Sequence, residues 1–157
     1  MKISRIMVPV DGSDHSMRAA VYAADMAECM EGSILLLHCH KSFPAFLGEP
    51  YFQAAHDKIV KEANRLMAPF RELFQYREIP YAERLLEGSA ASAICRVAEI
   101  EPCGLIIMGS RGRGDLKGLF LGSVTHRVLQ RSPCPVLVVS AGMEGTPCKE
   151  AHHRESA

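Results

Sequence analysis

Residues Ile106–Val139 read I-I-M-G-S-R-G-R-G-D-L-K-G-L-F-L-G-S-V-T-H-R-V-L-Q-R-S-P-C-P-V-L-V-V. An apolar strand, Leu105–Met108, runs into a basic loop carrying Gly109, Gly112, Gly114, Gly118 and Gly122. A helix over roughly Gly118–Arg131 follows, and then a second apolar strand, Pro135–Val139. Strand, glycine loop, helix and strand in that order put bare backbone N–H groups and a helix N-terminus at the C-terminal edge of a parallel sheet. An open α/β sheet binds phosphate there.

The rest of the chain extends the same alternation. Ile3–Val10 is an apolar strand ending in P-V-D-G-S. Ser13–Met30 is helical, with Ala19, Ala20, Ala23, Ala24 and Ala27 spaced to lie close against a sheet and Gly32 as its stop. Ile34–Cys39 is a continuous apolar run, as in a strand buried on both faces. Tyr51–Tyr76 reads as a long helix with Ala55, Ile59, Ala63, Leu66, Phe70, Leu73 and Phe74 inward, and Pro69 should kink or divide it. Pro80–Leu86 is a third strand, and Gly88-Ser89 opens an Ala-rich helix ending near Ile100. The expected fold is a three-layer α/β sandwich, Rossmann-like, around an open five-stranded parallel sheet of order 3-2-1-4-5. Residues 1–141 form the domain, and 142–157 read as a flexible C-terminal tail.

Composition narrows the function. The 157 residues are 48% apolar with a formal net charge of zero, which argues against a dedicated nucleic-acid binder or an anionic-membrane binder. No apolar run has the length of a membrane span, and the N-terminus lacks a cleavage-site pattern, so a cytoplasmic protein is expected. Six scattered cysteines, never spaced as C-x-x-C, point to reduced, mostly buried thiols. His38 and His40 share one face of a strand and Cys39 takes the other, so the three do not converge on a metal. Cys148, His152 and His153 belong to the tail. The adjacency of Ser13, Asp14 and His15 does not make a triad, since a triad is a spatial arrangement.

The P-loop pattern G-x-x-x-x-G-K-[ST] is absent, and G-x-G-x-x-G fails by one residue at Gly118. What fits is G-x2-G-x9-G-S, at Gly109, Gly112, Gly122 and Ser123. With I-M-V-P-V-D-G-S, the L-L-H of Leu36–His38, I-I-M-G-S-R-G, L-G-S-V-T and S-P-C-P-V-L-V-V, the chain resembles the universal stress protein family in its ATP-binding branch, over roughly Lys2–Ser140.

That resemblance implies a site for ATP or AMP, with Mg²⁺ held through the phosphates rather than by protein ligands. Pro9, Val10 and Asp11 would line the adenosine side. Cys39 stands where relatives carry an aliphatic residue whose backbone recognises adenine. Met108, Gly109, Arg111, Gly112, Gly122, Ser123, Val124 and Thr125 would complete the set. Elementary chemistry runs the same way. Gly109 and Gly112 would permit positive φ and close approach of phosphate, and Ser123 would cap the helix. Arg111, Arg113, Lys117 and Arg127 add positive charge.

The resemblance further implies a homodimer through antiparallel pairing of strand five, an apolar edge. A regulatory module acting through nucleotide-dependent conformation or partner binding is expected. The alternative is a slow ATPase or autokinase in the same pocket. Asp11 and Asp115 are available to it, but the chain shows no recognisable catalytic set for phosphoryl transfer.

Overall fold

The computed structural model describes residues 4–42, 48–49, 51–112 and 121–140. The start of the first strand at Ile3, the loop residues Arg113, Gly114, Asp115, Lys117 and Gly118, and the proposed tail with Cys148, His152 and His153 lie outside the described residues.

Among the described residues five parallel strands alternate with four helices. The strands are β1 (Arg5–Val10), β2 (Ser33–His40), β3 (Tyr81–Glu87), β4 (Leu105–Gly109) and β5 (Val136–Val139). The helices are α1 (Asp14–Met30), α2 (Tyr51–Tyr76), α3 (Ala90–Ile100) and α4 (Ser123–Arg131). The spatial order is β3-β2-β1-β4-β5, as the sequence pattern predicts. The chain winds outward from β1 to β3, then returns to lay β4 on the other side of β1. The crevice between the C-terminal ends of β1 and β4 is therefore the switch point at which such sheets accept ligands.

Alternating side chains of the central strands feed two cores. Ile6, Val8, Ile34, Leu36 and Ile107 meet the alanines of α1 and Met67, Phe70 and Phe74 of α2. Met7, Leu35, Leu37, Ile106 and Met108 meet Ile94 and Ala98 of α3 and Val128 of α4. Both faces of the inner strands are covered, which is why these strands read as unbroken apolar runs. Among the described residues no helix is long and apolar enough to cross a membrane.

Three local expectations are corrected. Glu31, not Gly32, takes the left-handed conformation that ends α1 (φ 51°), while the Gly32 N–H closes on the Ala27 carbonyl at 2.9 Å. Pro69 does not divide α2, which runs unbroken to Tyr76. Its exposed position lets water serve the carbonyl one turn back that loses its N–H partner. Gly122 rather than Ser123 is the N-cap of α4, and its hydrogen atom in place of a side chain offers no capping acceptor.

β5 is an edge strand. The Ile106 N–H donates to the Pro135 carbonyl at 3.0 Å and the Ser110 N–H to the Val139 carbonyl at 2.9 Å. Alternate residues of a parallel strand address the same neighbour. Val136 and Val138 therefore turn their backbone groups to the free edge.

The alanines of α1 permit an unusually close approach to β4. A Cβ built on Gly109 would lie 2.7 Å from the His15 carbonyl oxygen and 2.8 Å from its carbon. Backbone at that distance has no rotamer to escape into, so Gly109→Ala should cost about 1–3 kcal/mol, in the range of core overpacking. Gly48→Ala, with nothing within 4 Å of the added methyl, serves as control. Urea unfolding midpoints measure both. A Gly109→Ala midpoint equal to that of the control would show that α1 moves aside freely.

Candidate functional site

The first βα turn builds one wall of the switch-point crevice. Asp11 leaves β1, and its Oδ1 accepts from the Ser13 N–H at 3.0 Å and from the Ser13 hydroxyl at 2.6 Å. The same hydroxyl oxygen accepts from the Ser16 N–H at 3.2 Å, which makes Ser13 the N-cap of α1. Gly12, at φ 77°, supplies the left-handed residue that folds Asp11 back over this cap. Ser13, Asp14 and His15 form no triad: the Ser13 hydroxyl donates to Asp11, and His15 Nδ1 is buried without a hydrogen-bond partner.

The opposite wall comes from the segment after β4. Ser110 is buried, and its carbonyl accepts from the Gly122 N–H at 2.8 Å, bringing the two ends of the glycine loop together. Thr125, also buried, donates its hydroxyl to the Gly109 carbonyl at 3.0 Å and fixes α4 to the end of β4. The His126 N–H takes the Gly122 carbonyl at 2.9 Å, so the amides of Ser123, Val124 and Thr125 have no acceptor inside the helix. Those amides and the positive end of the helix dipole favour an anion at this position.

The role expected for the glycines changes. Among the described residues only Gly12 and Gly88 are glycines with positive φ, so neither Gly109 nor Gly112 uses a left-handed conformation. Gly122 sits at φ −67° and ψ 156°, open to any residue. Space decides instead. A Cβ on Gly109 would strike the backbone of α1, and one on Gly112 would overlap the Asp11 carboxylate at Oδ2. Asp11 therefore lies directly against Gly112, joining the two walls.

Between the walls is a cavity of about 260 Å³. The twelve residues of the expected nucleotide set line it, namely Pro9, Val10, Asp11, Cys39, Met108, Gly109, Arg111, Gly112, Gly122, Ser123, Val124 and Thr125, whereas Arg127 does not. Four more join them, namely Ser16, Leu37, Ala90 and Ile94. Leu37 lies two positions before Cys39 on the same face of β2, a period-two signal legible in the sequence. Ala90 and Ile94 open α3, whose N-terminus the topology brings to the same edge as those of α1 and α4. The cavity is thus apolar toward α3 and β2 and rich in backbone donors toward α4.

Cys39 belongs to the apolar side. Burial pushes its thiol up to about 11, so it stays neutral near pH 7 and behaves as a small hydrophobe. Cys95 and Cys103 are buried, Cys39 and Cys134 are partly buried, and Cys29 is exposed. All five are free thiols. No group of three metal-capable side chains occurs among the described residues.

Residues 2–140 match the sequence model of the Universal stress protein family. A universal stress protein of Thermus aquaticus is 38% identical over 135 residues, spanning 85% of this chain and 96% of that protein. The protein MJ0577 of Methanocaldococcus jannaschii superposes with a TM-score of 0.81 at 26% identity, covering 93% of this chain and 100% of the other. A universal stress protein of Archaeoglobus fulgidus, solved in complex with dAMP, shares the fold at a TM-score of 0.67 and 19% identity, over 88% and 98% of the two chains. With its sheet order, its switch-point cavity and a family match over nearly all of the described chain, the protein belongs to the universal stress protein family.

Proposed function

We propose that the switch-point cavity holds an adenine nucleotide, AMP or ATP, with Mg²⁺ carried on the phosphates, and that the protein is a regulatory stress-response module working through the bound state rather than through turnover. The observation that carries this reading is convergence. Apolar surface from β2 and α3 stands at one end of a single cavity, a fixed carboxylate at its side, and the free amides of α4 at the other end. An aromatic base, a ribose and a phosphate have that sequence of chemistries. The dAMP held by the Archaeoglobus fulgidus protein of the same fold supports it.

In this reading the base lies against Leu37, Cys39 and Ile94, with the β2 backbone at Cys39 as its polar contact. Asp11 accepts from the ribose, and the amides from Ser123 to Thr125 receive the phosphates, with Arg111 adding charge. Calorimetric titration with AMP and with ATP, each with Mg²⁺, tests it. No heat and no thermal stabilisation at millimolar ligand would sink the proposal, since a saturating ligand stabilises by RT ln(1+[L]/Kd). Gly122→Val should keep the fold, because the backbone there suits any residue and a Cβ would meet nothing nearer than 3.4 Å. Its two methyl groups crowd the amides of α4, and ATP affinity should fall by roughly tenfold, more than AMP affinity. Equal losses would show that the outer phosphates lie elsewhere.

Cys39 gives an intrinsic reporter. Alkylation requires the thiolate, so its rate at Cys39 should climb with pH all the way toward about 11. Bound AMP should protect Cys39 while leaving the exposed Cys29 unchanged. Peptide mass mapping of iodoacetamide adducts reads both sites, and equal alkylation of Cys39 with and without AMP would remove it from the base contact.

A homodimer through β5 goes with this function. The backbone groups of Val136 and Val138 face the free edge, where a twin strand would add its ladder. Val138→Pro removes only an outward N–H, so it should leave the monomer folded and abolish the dimer. Sedimentation velocity at micromolar concentration decides. A monomeric wild type, or a variant that remains dimeric, would rule out the β5 interface.

A further inference from the structure

On the opposite face of the sheet a second, larger cleft of about 990 Å³ opens between the C-terminal end of β2 and the middle of α2. Its volume is at the upper end of small-molecule sites, and the nucleotide proposal makes no use of it. Asp11 and Cys39 border both cavities. The Asp11 carboxylate, however, is committed away from the cleft, with Oδ1 held by Ser13 and Oδ2 turned against Gly112.

The far wall is aliphatic. Ile59, Leu66 and Pro69 of α2 line it: Leu66 packs against the core and is half-buried, Ile59 is half-buried and Pro69 is exposed. From Ile59 to Pro69 the helix rises about 15 Å at 1.5 Å per residue, the length of a medium-chain acyl group. Two cations stand over this wall, Lys41 at the end of β2 and Arg65 on α2. Neither pairs with a carboxylate among the described residues. Among the described residues that line the cleft, Glu62 and Asp11 are the acidic ones. The His38 ring donates through Nδ1 to the Val10 carbonyl at 2.8 Å, which fixes the ring at the edge of the cleft. Lys41 and Arg65 balance Glu62 and Asp11 in formal charge, and the two cations, unpaired with any carboxylate among the described residues, are the groups of the cleft that can receive an anion.

We propose that this cleft is a second ligand site, selective for an amphipathic monocarboxylate of fatty-acid type. The acyl chain lies along Ile59, Leu66 and Pro69, and the carboxylate meets Lys41 and Arg65. The proposal is independent of the nucleotide reading, and its test uses nucleotide-free protein so that the two stand or fall separately.

Octanoate is titrated into the labelled full chain and followed by amide chemical shifts. The expected result is a saturable shift at millimolar ligand for residues of the cleft, including His38, Lys41, Arg65 and Leu66. Arg65→Gln and Lys41→Gln should each weaken binding by roughly fivefold, and Glu62→Gln should tighten it. 1-Octanol, with the same chain and no charge, should bind far more weakly. No saturable shift, equal binding of octanol, indifference to both cation variants, or shifts confined to Ala90 and Ile94 in the other cavity would each overturn the proposal.

Discussion

The C-terminal edge of the sheet depends on two side chains that are not there. The carbonyl of His15 sits where a Cβ of Gly109 would be, and the carboxylate of Asp11 where a Cβ of Gly112 would be. A parallel sheet with right-handed crossovers brings the start of every helix to this edge. The chain must then turn from β1 into α1 directly beside the exit of β4. Bare backbone at Gly109 and Gly112 lets these turns interlock, and the cavity is what remains between them.

The cap of α1 and the shape of the site are consequently one structure. Ser13 caps the helix, holds Asp11 and is fixed in turn by the Ser16 hydroxyl, which donates to its carbonyl at 2.8 Å. On the other side, Thr125 and the Gly122 amide bind α4 to the end of β4 and to Ser110. Each wall is set by hydrogen bonds within the protein before any ligand arrives. Such preorganisation lowers the ordering cost that binding must overcome. Zero net charge is consistent with the proposed anion site, because its donors are local amides and a helix end and require no surplus of lysine and arginine.

The sheet order and all nine elements were legible because both cores impose the patterns that sequence reading detects. The strands Ile34–Cys39 and Leu105–Met108 are apolar without interruption, and the α1 alanines recur at helical spacing. The failures are local, where two conformations compete at small cost. Glu31 takes the left-handed turn although Gly32 is next to it: the helix ends one residue earlier, at the strain of a non-glycine αL position, and the Glu31 and Gly32 amides close on the Glu28 and Ala27 carbonyls. The cavity's glycines were found by their spacing, but the reason for them, steric rather than dihedral, depends on the approach of α1. That approach is a tertiary distance that no local pattern carries.

The geometry of Asp11 limits what the cavity can do on binding. Its two hydrogen bonds from Ser13 involve a charged acceptor, worth about 1.5–3 kcal/mol each. Rotating the carboxylate toward a ligand would break them. In the proposed nucleotide complex a ribose would gain less than this from one new hydrogen bond, so the lower-energy course would be for the ligand to come to Asp11. The carboxylate therefore acts as a fixed acceptor at the mouth of the first βα turn. Any change of conformation coupled to occupancy must arise elsewhere, at the α4 side, where Ser123, Val124 and Thr125 present amides that no other group in the helix engages.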